Sequence, residues 1–87
     1  VDIDWEFPVG GGRDGNIVRP EDKQNFTLLL QALRTALDAA AAADGKPYLL
    51  TIASGPSAAH VAQIELGEVA RVVDWINVMT YDFYGAW

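Results

Sequence analysis

Apolar and acidic residues alternate along Val1-Asp2-Ile3-Asp4-Trp5-Glu6-Phe7, the period-2 pattern of a β-strand. Pro8 and the run from Gly10 to Asn16 break the alternation and predict a loop. Pro20 suits the first turn of a helix, and Glu21 and Asp22 suit the positive end of its dipole. Phe26, Leu29, Leu30, Leu33 and Leu37 then recur at helical spacing, which predicts one buried face. The alanine tract from Ala39 to Ala43 favours continued helix, with Gly45 as its stop and Pro47 just beyond. Tyr48 to Ala53 is short, β-prone and nearly all apolar, as expected of a strand covered on both faces. Ser54-Gly55-Pro56 ends it. A second helical stretch is expected over about Ile64 to Val73, with Leu66, Val69, Ala70 and Val73 on one side. Trp75 to Tyr81 reads as a third strand. The resulting β-α-β-α-β order predicts an α/β fold with parallel strands and right-handed crossovers.

The first strand carries the candidate chemistry. Residues i, i+2 and i+4 of a strand share a face, so Asp2, Asp4 and Glu6 form a column opposite Ile3, Trp5 and Phe7. If the apolar face packs under helices, the acids point into the interior of a sheet or barrel. Three carboxylates a few ångströms apart resist ionising together. Asp2 and Asp4 would most simply share a proton, and the pair would titrate as a unit. Repulsion also raises the pKa of Glu6, which suits a general acid near neutral pH. Glu6 is the last acid before the loop, at the C-terminal strand end where α/β active sites form. The same pattern also fits a solvated strand face, or a site for Mg²⁺ or Ca²⁺. A second polar strand end, Met79-Thr80-Tyr81-Asp82, follows the third strand. By itself it reads as a core methionine and tyrosine beside a turn acid. Two such strand ends separated by one intervening strand make a site more plausible than either does alone.

Composition narrows the alternatives. At 87 residues the chain is at most one small domain, and its 51% hydrophobic content is that of a core-forming chain. A formal net charge of −6, with scattered Lys and Arg, argues against a nucleic-acid partner. No cysteine is present, which excludes disulfides and thiolate metal sites, and the single histidine, His60, excludes HExxH zinc chemistry. No apolar run is long enough to span a bilayer. The chain starts without methionine on one strand and stops just after another, so it is expected to be an internal piece of a longer protein.

Together, VDIDWEFP and MTYDFYGAW resemble the glycoside hydrolase family 18 chitinases of bacterial type. The first stretch matches the later part of the DxxDxDxE signature. The second matches at Met79, Tyr81, Asp82 and Gly85. The resemblance runs end to end and implies that residues 1–87 are a partial catalytic domain, strands four to six of an eight-stranded (β/α)₈ TIM barrel.

The resemblance implies a role for each matching residue. Glu6 would be the general acid that protonates the glycosidic oxygen. Asp4 would turn toward Glu6 and hold the N–H of the substrate's N-acetyl group, and Asp2 would share a proton with Asp4 in the empty site. Tyr81 would donate its hydroxyl to the acetamido carbonyl, with Asp82 positioning the same group. Met79 would line the pocket for the acetyl methyl, and Trp87 would stack on a sugar on the leaving-group side. The implied reaction is hydrolysis of β-1,4 linkages between N-acetylglucosamine units of chitin. It retains configuration through an oxazolinium ion formed by the substrate's own acetamide, so a second catalytic carboxylate is not needed. No metal or organic cofactor is implied, and the partners would be chitin and its oligosaccharides. The parent is expected to be secreted and monomeric. A barrel needs about 250 residues, so the isolated piece is expected to be inactive. The alternatives are a chitinase-like lectin, which typically lacks the acid seen at Glu6, and an endo-β-N-acetylglucosaminidase. By parity Trp5 is expected to pack against helices. Trp75 shares the site-facing parity but lies at the far end of its strand, Asn77 is a weak candidate for an interior hydrogen bond, and His60 is assigned no role.

Overall fold

The computed structural model describes residues 1–85. In chain order it contains β1 (Asp2–Ile3), α1 (Asp22–Asp44), β2 (Thr51–Ser54), α2 (Ala58–Ala62), α3 (Leu66–Val72) and β3 (Trp75–Val78). The three strands form one parallel sheet in the order β1-β2-β3. The two polar strand ends therefore flank one intervening strand, as the sequence suggested.

Register explains which face is covered. Ile3, Ile52 and Ile76 lie side by side across the sheet. They join a core of Phe26, Leu30, Leu50, Ile52, Ile64 and Val69 with Leu33, Leu37, Val72 and Val73 packed against it. The alternate row, Asp2, Thr51 and Trp75, faces the other way. The alternation outlasts the ladder: Ile3, Trp5 and Phe7 are half-buried, whereas Asp2, Asp4 and Glu6 are exposed. Trp5 meets Phe26 edge to face, with ring centroids 5.7 Å apart and planes at 84°. Its expected packing against the helical layer is thus observed.

Helix α1 begins and ends close to the expected positions. The buried Asp22 carboxylate accepts from the Arg19 N–H and the Asn25 amide, each at 3.2 Å, and so ties the approach to the first turn. At the other end Gly45 adopts φ 67°, and its N–H donates to the Ala41 carbonyl at 2.9 Å. Phe26 and Leu30 are buried, but Leu29 is exposed, because it sits beside the stripe that meets the sheet. Arg34 anchors the N-terminal ends of the strands. It bonds Asp74 at 3.1 Å, the Tyr48 carbonyl at 2.8 Å and Asp38 at 3.0 Å. Asp74 in turn accepts from the Leu50 N–H at 2.8 Å. This clamp lies at the end of the sheet opposite Glu6, the end that serves stability in βα folds.

Several expected boundaries are corrected. The first strand pairs only over Asp2–Ile3 rather than through Phe7, and the Glu6 carbonyl beyond it accepts from a side chain of the following loop. The second and third strands are shorter and shifted: Thr51–Ser54 instead of Tyr48 to Ala53, and Trp75–Val78 instead of Trp75 to Tyr81. The short helix α2 was not anticipated, and α3 covers less than the expected Ile64 to Val73. Within it only Val69 is buried; Leu66 and Ala70 are exposed, and Val72 and Val73 supply the rest of the packed face.

Candidate active site

Asp4 and Glu6 sit beyond the last ladder pair of β1 and on the face opposite the helices. One more step of the register sets Asp4 in the row of Ala53 and Asn77. Asn77 is exposed on the same face. Asp4 and Glu6 are hydrogen-bonded to each other. Partial desolvation, the adjacent Asp4 charge and that hydrogen bond together raise the Glu6 carboxyl above its ordinary value of 4.5. A carboxylic acid kept protonated beside a carboxylate is the form that can give a proton to a leaving oxygen.

Asp2 behaves differently. Its Oδ1 accepts the hydroxyl of Thr51 at 2.7 Å, a cross-strand bond between register partners. Thr51 thus occupies one oxygen of Asp2, while Asp4 lies beside Glu6. Among the described residues no group of three or more acids or histidines is gathered closely enough to hold a metal ion.

Two clefts meet at Glu6. One, of about 340 Å³, is lined by Glu6, Phe7, His60, Met79, Tyr81 and Asp82 among others. The strand-end residues expected at the site are thus brought together with the acid. Met79 is half-buried, and its N–H donates to the Ser54 carbonyl at 2.9 Å, which continues the β2–β3 pairing one step past the strand. Asp82 takes a left-handed backbone, φ 56°, a conformation tolerated by Asp, and the chain turns there. Tyr81 is 63% exposed, so its hydroxyl is free to meet a ligand. The second cleft, of about 550 Å³, runs from Asp4 and Glu6 to Gly12, Arg13, Asn16 and Ile17 of the following loop. Trp87 lies outside the described residues.

Some residues of the site carried no legible signal. His60 stacks on Phe7, the neighbour of Glu6, with ring centroids 4.2 Å apart, and its Nδ1 lies 2.8 Å from Ser57 Oγ. Ser57 caps α2 by accepting the His60 N–H. Gly55 makes room for this ring: a Cβ there would stand 2.2 Å from His60 Cγ. Gln63 donates to the Gly10 carbonyl at 3.1 Å and ties the two loops together. The Ser57-x-x-His60 spacing is the one sequence feature that could have flagged the cluster. Trp75 is half-exposed at the far end of its strand, away from both clefts.

Comparison with known proteins identifies the family and the fold. The profile of glycosyl hydrolases family 18 matches residues 1–87. Chitinase A1 of Niallia circulans is 68% identical over 87 residues, which is 100% of this chain and 12% of that relative. Chitinase ChiA74 from Bacillus thuringiensis superimposes with a TM-score of 0.92 at 57% identity, covering 99% of this chain and 14% of that structure. The class V chitinase of Nicotiana tobaccum in complex with NAG4 gives a TM-score of 0.75 at 35% identity, covering 97% of this chain and 22% of that structure. This chain therefore spans a small part of the length of each. With a matching profile from end to end and an α/β structure that superimposes on these catalytic domains, the chain belongs to glycosyl hydrolase family 18, a family of TIM-barrel enzymes.

Proposed function

We propose that the full-length protein carrying this chain hydrolyses the β-1,4 linkages of chitin with retention of configuration, using the substrate's acetamide as nucleophile. The observation that carries this reading is the Glu6 carboxyl, raised above its ordinary range and bonded to Asp4, on a cleft shared with Met79, Tyr81 and Asp82. Glu6 gives its proton to the glycosidic oxygen as the C1–O bond breaks. The acetamido oxygen closes on C1, and an oxazolinium ion results. Asp4 accepts the acetamido N–H and balances the positive charge. Tyr81 donates its hydroxyl to the acetamido oxygen, Asp82 positions the same group, and Met79 packs on its methyl. Glu6, now a carboxylate, takes a proton from the water that attacks C1 as the bond from C1 to the acetamido oxygen breaks, which restores the acid and the acetamide and releases the retained product. In the empty site Asp2, whose Oδ1 accepts the Thr51 hydroxyl, shares a proton with Asp4. Preorganised groups of this kind act most strongly where charge develops.

Relatives named as chitinases, one of them in complex with NAG4, support chitin oligosaccharides as the substrate. We further propose that the three strands are the fourth to sixth of the barrel, that Trp87 stacks on the leaving-group sugar, and that the protein is secreted and acts as a monomer. The isolated 87-residue chain is expected to be inactive, because three strands leave the rest of the barrel wall absent. The test is turnover of a fluorogenic chitobioside by the full-length protein, with the initial product anomer read by NMR from a chitin oligomer. Release of the β-anomer is expected. Initial release of the α-anomer, or hydrolysis confined to N-glycans, would overturn the reading.

A further inference from the structure

The ladder of β1 stops at Ile3, three residues short of Glu6. A general acid needs placement within a fraction of an ångström, so something other than strand pairing must fix its backbone. The loop after β1 supplies it. The Asn16 side-chain amide donates to the Glu6 carbonyl at 3.1 Å. A turn, with the Asn16 N–H on the Arg13 carbonyl at 3.2 Å, folds the loop back to deliver that side chain. Gly12 lies directly over the same carbonyl. A Cβ there would stand 1.9 Å from the Glu6 oxygen and 3.0 Å from Asn16 Nδ2, and Gly12 has φ 76°. The approach is therefore open only to glycine.

We propose that Asn16 is a positioning residue for Glu6: its amide, delivered across Gly12, locks the peptide plane that follows the acid and so aims the carboxyl at the glycosidic oxygen. This rests on the assignment of Glu6 as the proton donor and extends it to the loop that was legible in the sequence only as a glycine-rich break. Fixing that plane restrains the ψ angle of Glu6 and so the direction of the Cα–Cβ bond from which its side chain departs. The side chain then starts toward Asp4 and the substrate from one backbone setting instead of several.

The test separates aim from general stability through the leaving group. A sugar alkoxide needs a well-placed acid, whereas an activated aryl oxide departs with little help. In the full-length enzyme, Asn16→Ala should lower kcat/KM for a chitin oligomer by about 10- to 100-fold. The loss on an aryl chitobioside should be several times smaller. Asn16→Asp keeps the shape but lacks the donor, and it should show the same selective loss if the alanine variant folds poorly. Equal losses on both substrates, or no loss on either, would overturn the proposal. Glu6→Gln serves as the control. An inactive Glu6→Gln enzyme beside an unaffected Asn16→Ala overturns the positioning role alone. A Glu6→Gln enzyme with normal turnover overturns the acid assignment and the positioning role together.

Discussion

Replacing Gly55 with alanine should destabilise the enzyme through a single ring. The new methyl would stand 2.2 Å from His60 Cγ, 2.4 Å from Nδ1 and 2.7 Å from Cβ. Carbon atoms rest at about 3.5 Å or more, so the imidazole would have to retreat by roughly 1.3 Å. That movement cannot preserve both the 4.2 Å stack on Phe7 and the 2.8 Å contact with Ser57. Overpacking costs about 1–3 kcal/mol, and an aromatic pair is worth about 0.5–1.5 kcal/mol, partly the same energy. Reduced freedom of the unfolded chain returns about 0.4–1 kcal/mol. The net loss should be about 1–3 kcal/mol. Urea unfolding of the full-length protein measures it, with and without His60→Ala. With the ring gone, Gly55→Ala should be nearly neutral, which gives a coupling of about 1 kcal/mol or more. Equal costs of Gly55→Ala in the two backgrounds would refute the reasoning. Because Phe7 adjoins Glu6, activity of the single variant should fall as well.

The acid pair and the Arg34 clamp make separate predictions. Asp4→Asn removes a charge that raises Glu6 and weakens the bond between them, leaving partial desolvation as the main cause of the shift. An acid catalyst with a lower pKa loses its proton sooner, so the basic limb of kcat/KM should move to lower pH; an unmoved limb would contradict the pairing. Asp74 is held below its ordinary 3.8 by the Leu50 N–H and by Arg34, against some desolvation. Its contribution to stability is present above the unfolded value and is lost as pH falls through the folded one. Asp74→Asn should therefore lower the urea midpoint at neutral pH and flatten its decline in acid.

The sheet order and the column of acids were legible because burial writes a period into the sequence. Ile3, Trp5 and Phe7 could only pack one way, which left Asp2, Asp4 and Glu6 on the other face. The start and stop of α1 were legible for local reasons, in Pro20 and Gly45. The strand ends were not, because pairing depends on the neighbouring strand and not on the strand's own sequence. Leu29 and Leu66 show the limit of periodicity: an apolar residue at the edge of a stripe stays exposed unless another element meets it. Partners brought together only by folding left no mark in the sequence. Thr51 on Asp2, His60 on Phe7 and Asn16 on Glu6 join residues from separate segments.

Glu6→Gln in the full-length protein tests the acid assignment most directly. Glutamine keeps the shape of the side chain and its contact with Asp4 but has no proton to give to an alkoxide. General acid catalysis is worth about 10²–10⁴-fold, so kcat on a chitin oligomer should fall by about a thousandfold or more. The dissociation constant of the same oligomer, measured by calorimetry, should stay within about threefold, a change of less than 1 kcal/mol. Turnover near that of the unmodified enzyme, or loss of binding in step with loss of rate, would contradict a proton donor at Glu6.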